Sequence, residues 1–143
     1  MQPHLTDISR VIQLAVAPVF LLTAVGTLIN ALNTRLGRIV DRRRVVEARL
    51  QAGIEPAPDV LDERRMLDRR ATLAYYAVLC AVMSALLVCC VVAGAFIGYL
   101  LVVDLARVVA GLFVIAMMAM ILSLSLLLRE VYLAVRAGNH RRG

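Results

Sequence analysis

ATLAYYAVLCAVMSALLVCCVVAGAFIGYLLVV, residues 71–103, holds no charged side chain. It exceeds the roughly 20 residues a helix needs to cross a bilayer. Two further runs, Val11 to Leu32 and Val108 to Leu128, are long enough and equally free of charge. Three spans use most of the 143 residues and leave no room for a separate soluble domain. The expected fold is an all-α integral membrane protein, one membrane domain over residues 1–143. Its spans cover about 11–32, 73–103 and 106–128.

Charge orients the chain. All sixteen basic side chains are arginine. Ten lie between Arg35 and Arg70, and four more (Arg129, Arg136, Arg141 and Arg142) follow the third span. Only Arg10 and Arg107 fall on the other side. The positive-inside rule places the arginine-rich side in the cytoplasm, with the N-terminus outside and the C-terminus inside. The flank before the first run lacks a basic cluster, and arginines follow the run, so it reads as a retained span rather than a cleaved signal.

No proline interrupts 33–50, and Leu36, Ile39, Val46 and Leu50 recur at heptad spacing, with Arg43 breaking the seam. The first helix is expected to continue past the membrane. Gly53-Ile54-Glu55-Pro56-Ala57-Pro58 breaks it, and Asp59 is the expected N-cap of the returning helix. Asp7 to Leu50 and Asp59 to Val103 would make rods of roughly 66 and 67 Å. They form a cytoplasmic antiparallel helical hairpin, 33–72, in which Arg43–Glu47 and Arg64–Asp68 are i,i+4 pairs. Thr6 is a candidate cap at the start of the first helix. Asp104 and Arg107 mark a short outer turn, and residues 129–143 form a basic tail. Tyr75, Tyr76 and Tyr132 fall at one predicted boundary and Tyr99 at the other, where such rings prefer to sit. Pro18 either kinks the first span or starts a shorter one; a single kinked span is expected.

Pro18 together with Asn33-Thr34-Arg35-Leu36-Gly37-Arg38-Ile39-Val40-Asp41-Arg42 resembles the signature of a bacterial domain-of-unknown-function family, the one numbered 2721. The likeness extends over nearly the whole chain. It implies a bacterial inner-membrane protein and transfers no chemistry.

Thr23, Thr27, Asn30 and Thr34 share one helical face. This polar stripe either bonds to neighbouring helices or lines a wet pore in an oligomer, with Pro18 as candidate hinge. Cys90, Gly94 and Gly98 form a small-residue ridge suited to close helix packing, beside a second ridge of Ala77, Ala81, Ala85 and Cys89. Three helices enclose little polar surface, so a homo-oligomer is expected. Arg35, Arg38, Arg42, Arg43 and Arg44 give the hairpin a basic surface. It suits anionic lipid headgroups or an acidic protein. Ten arginines against seven acids leave the stretch 35–70 at only +3, which argues against nucleic acid.

The central part of each span lacks Asp, Glu, Lys, Arg and His, which argues against coupled transport. No nucleotide loop, metal motif or catalytic triad is visible. Cys80, Cys89 and Cys90 lack the spacing of a redox or metal site, and Met117, Met118 and Met120 read as packing residues. No enzyme activity, cofactor, metal or catalytic residue is expected. The first expectation is a scaffold or regulatory component acting through the hairpin, in contact with membrane lipids. The alternative is a passive channel lined by the stripe.

Overall fold

The computed structural model describes residues 3–52, 58–102 and 104–139, excepting the side chains of residues 3–7, 11, 14, 59 and 137–139. Among these residues the chain is three helices: α1 (Pro3–Gln51), α2 (Pro58–Leu101) and α3 (Ala106–Asn139). Each contains a window long and apolar enough to span a membrane. Large apolar side chains are exposed along all three, among them Phe20, Leu100 and Leu128 at 72%, 75% and 71%. Such a surface is stable facing acyl chains and aggregates in water. The chain is a multi-pass membrane protein.

Helix ends follow local chemistry. α1 passes through Pro18 without a break, in agreement with the single-span reading. It stops at Gln51, just before the Gly-Pro segment, and α2 starts at Pro58, where a missing N–H costs nothing. Asp59 therefore lies within the first turn and not at the cap, and Thr6 lies inside α1, which begins at Pro3; the side chains of both lie outside the described residues. α2 ends against Val102, whose φ of 54° is unusual for a β-branched residue. The Asp104 carboxylate then accepts the Ala106 N–H at 3.1 Å and starts α3. The basic segment after the third run is helical as far as Asn139, because no proline or glycine intervenes before Gly138.

Burial follows a seven-residue step along each helix. On α1 it takes in Pro18, Val25, Leu32, Ile39 and Val46; on α3, Ala116, Ser123 and Glu130. Contacts divide the chain into two compact units, each built from all three helices.

The first unit is Met1–Ile29 with Cys80–Ile121. Pro18 and Val25 on α1, Ala81, Ser84, Val88 and Val91 on α2, and Ala116 on α3 are buried in it. The Ser84 hydroxyl donates to the Ala116 carbonyl at 2.8 Å, which satisfies a polar group that lipid could not. A methyl added at Gly94 would lie 3.2 Å from Val109 Cγ2, so the glycine permits close approach of α2 and α3. An apolar groove of about 610 Å³ beside it is lined by Pro18, Gly94, Gly98, Tyr99, Val109 and Phe113.

The second unit is Asn30–Leu79 with Leu122–Gly143. Its core packs Ile39 and Val46 of α1 on Leu67 and Ala74 of α2, flanked by Leu36, Leu50, Val60 and Ala71. This is the heptad seam read from the sequence, now with its partner helix. The Ser123 hydroxyl donates to the Ala77 carbonyl at 2.7 Å.

Candidate functional site

Three charged residues that end the apolar runs come together in the second unit. Arg35 is the first charge after the run on α1. Arg70 is the last charge before the run on α2. Glu130 lies one residue beyond Arg129, which ends the run on α3. Glu130 is buried, its side chain 2% exposed. Arg70 donates from Nε and Nη2 to Glu130 Oε1, at 3.1 and 2.9 Å. Arg35 donates from Nη1 to the other oxygen, Oε2, at 3.3 Å. One carboxylate thus ties all three helices where their apolar surfaces end. Arg70 is largely covered, 23% exposed, whereas Arg35 is about half open at 49%.

A buried carboxylate without partners would be strongly destabilising, and charge-assisted hydrogen bonds offset its desolvation. Here both oxygens are engaged. The cluster retains one surplus positive charge, and about half of the Arg35 side chain remains exposed.

Farther along the hairpin, three ion pairs link α1 to α2. Arg42 Nε donates to Glu63 Oε1 at 2.9 Å. Arg64 Nη2 reaches Glu47 Oε1 at 3.5 Å, and Arg43 Nε lies 3.2 Å from Asp68 Oδ1 without hydrogen-bond alignment. The i,i+4 pairs expected within each helix are not the ones formed. Arg43 and Arg64 exchange partners across the hairpin. The antiparallel register explains this: four residues up α1 is matched by four residues down α2. Arg43 thereby turns its charge out of the seam it interrupts.

The residues singled out from the sequence separate into groups. Arg42 and Arg43 are neutralised by carboxylates, while Arg38 and Arg44 are exposed without an ion pair among the described residues. Arg35 joins the clamp. Thr23, Thr27, Asn30 and Thr34 are all exposed. Thr23, Thr27 and Thr34 donate to carbonyls one turn back on their own helix, at 3.3, 3.1 and 2.9 Å. Among the described residues, none of the four reaches another helix of the chain. Pro18 is buried, Gly94 and Gly98 are half-buried, and Cys90 is exposed. Cys80, Cys89 and Cys90 are free thiols. No group of three or more His, Cys, Asp or Glu side chains suited to a metal occurs among the described residues.

Glu130 is the residue that sequence reasoning missed. Two signals point to it: it is the lone acid in a basic segment, and it continues the seven-residue step from Ala116 and Ser123.

The sequence pattern of a family described as "Protein of unknown function (DUF2721)" matches residues 15–140. The chain belongs to this family. The match spans the clamp, the seam, the second and third apolar runs and the first from residue 15 onward. No curated relative and no solved structure matches the chain. DUF2721 membership accordingly fits the all-helical membrane architecture and brings no activity with it.

Proposed function

We propose that the protein is a scaffold or regulatory component of a bacterial inner membrane. In this reading the N-terminus is outside, and the hairpin and the end of α3 are cytoplasmic. The observation that carries it is the way the second unit is held together. A heptad seam, three pairs across α1 and α2, and the Glu130 clamp make a stiff charged stalk. Stiffness suits presentation of a fixed surface to a partner, and the charges supply specificity more than affinity. Photo-crosslinkers placed at exposed Arg44 and Arg65 in living cells test this. The expected result is one discrete, reproducible protein adduct from both positions. Adducts confined to lipid, or none, would remove the scaffold reading.

A second reading, a passive channel formed by several copies, is favoured by one observation: Thr23, Thr27 and Asn30 are polar yet exposed on a membrane span. A single chain leaves them outside its packing, so a pore would need α1 from several copies around one axis. Ion flux through reconstituted protein is then expected, and lowered by Asn30→Leu. Silent bilayers containing a folded homo-oligomer would exclude it.

A further inference from the structure

The surplus positive charge is concentrated at one level of the chain. Residues 41–68, the far part of the hairpin, carry six arginines and seven carboxylates. Much of that charge is internally paired: Arg42 with Glu63, Arg43 with Asp68, Arg64 with Glu47. Next to the apolar runs the balance reverses. Arg35 and Arg38 on α1, Arg69 and Arg70 on α2, and Arg129 on α3 have a single acid among them, Glu130, before Asp41 and Asp68 begin the far hairpin. Glu130 is buried and already saturated by Arg35 and Arg70. Arg38, Arg69 and Arg129 are exposed and have no carboxylate partner among the described residues. Arg35 donates only from Nη1 to Glu130, and its side chain is about half exposed.

We propose that this arginine collar is a binding site for anionic phospholipid headgroups of the surrounding bilayer. Three arguments converge on a lipid. The collar adjoins all three apolar runs, so a ligand with a phosphate and acyl chains meets cations and lipid-facing surface together. Tyr75, Tyr76 and Tyr132 are exposed nearby in the same unit, as rings at the headgroup level are. A guanidinium matches a phosphate with parallel N–H donors in a way a point charge does not. The near-neutral far hairpin is unsuited to an acidic protein at the same strength. The inference goes beyond the scaffold reading and holds with or without a protein partner.

The test is native mass spectrometry of the full chain released from nanodiscs. These contain equal amounts of phosphatidylglycerol and phosphatidylcholine with identical acyl chains. Retained lipid is expected to favour phosphatidylglycerol by about tenfold, since each arginine near an anionic surface contributes about fivefold and contributions overlap. Arg38→Gln/Arg69→Gln/Arg129→Gln is expected to abolish the preference. Arg44→Gln/Arg49→Gln/Arg65→Gln removes the same charge from equally exposed hairpin positions and is expected to keep it. Helicity and protomer number, recorded for each variant, confirm that exposed glutamines leave the fold intact. Equal retention of both lipids by the unaltered protein, or equal loss in both triple variants, would overturn the proposal. So would retention of the preference in the collar variant.

Discussion

Arg70 donates from both Nε and Nη2 to one oxygen of Glu130 and leaves the other oxygen to Arg35. The division of labour is unequal. Arg70 is the more buried partner and makes two of the three bonds, so it carries more of the compensation for burying the carboxylate. Glu130→Ala would leave two guanidinium groups facing each other beside lipid. The expected loss is about 3–5 kcal/mol, the usual cost of removing one member of a buried ion pair. Arg70→Ala should cost more than Arg35→Ala, because Arg35 is half exposed and solvent screens it. Denaturant titration in mild detergent gives the ranking, and equal costs would contradict the geometry.

The hairpin seam should behave as a packed core. Leu67 is 6% exposed, and Leu67→Ala is expected to cost about 2–5 kcal/mol. Leu61 on the same helix is 45% exposed, and Leu61→Ala should stay within about 0.5 kcal/mol. Hydrogen exchange of residues 36–50 and 60–74 should accelerate only in the first variant.

Close approach of α2 and α3 predicts a specific rescue. Gly94→Ala places a methyl 3.2 Å from Val109 Cγ2, and overpacking of that kind costs about 1–3 kcal/mol. Val109→Ala in the same chain should recover most of it. Melting temperatures of the two single variants and the double variant decide the point; additive losses would place the strain elsewhere.

Val102 follows the end of α2 with φ at 54°, and the residue is 92% exposed. Left-handed backbone costs a side-chain-bearing residue about 1–2 kcal/mol. It is where helices most often place glycine. Val102→Gly is expected to raise stability by about 1 kcal/mol after the entropy of the added glycine is counted. A lower melting temperature would show that the turn is not strained.

Asn30 separates events within a chain from events between chains. Asn30 is exposed, and its amide makes no hydrogen bond to another helix among the described residues. Asn30→Leu should therefore leave the unfolding free energy within about 0.5 kcal/mol. If copies pair along this face, protomer number in nanodiscs should fall, because amides bonded across helices in lipid are worth about 0.6–2 kcal/mol. A stability loss without change in protomer number would place Asn30 in an intrachain contact.

Much of this architecture was legible in residue order. Apolar run length gave the spans, the Gly-Pro segment at 53–58 gave the turn, and Leu36, Ile39, Val46 and Leu50 gave one side of the seam. What stayed hidden depends on the pairing of helices. Arg43 has Glu47 one turn away in sequence, yet its ion-pair partner is Asp68. Only the antiparallel register brings those two together. Glu130 looked like part of a basic tail because its partners are 60 and 95 residues away. The polar stripe was visible as a pattern, but periodicity alone could not tell that it faces away from the chain's own helices.

The most direct test of the clamp is a double-mutant cycle between Arg70 and Glu130, read by reversible unfolding in detergent with Arg70→Ala, Glu130→Ala and the pair combined. A coupling energy of about 2–3 kcal/mol is expected for contacting, buried charges. A value near zero would mean that the carboxylate does not tie α2 to α3.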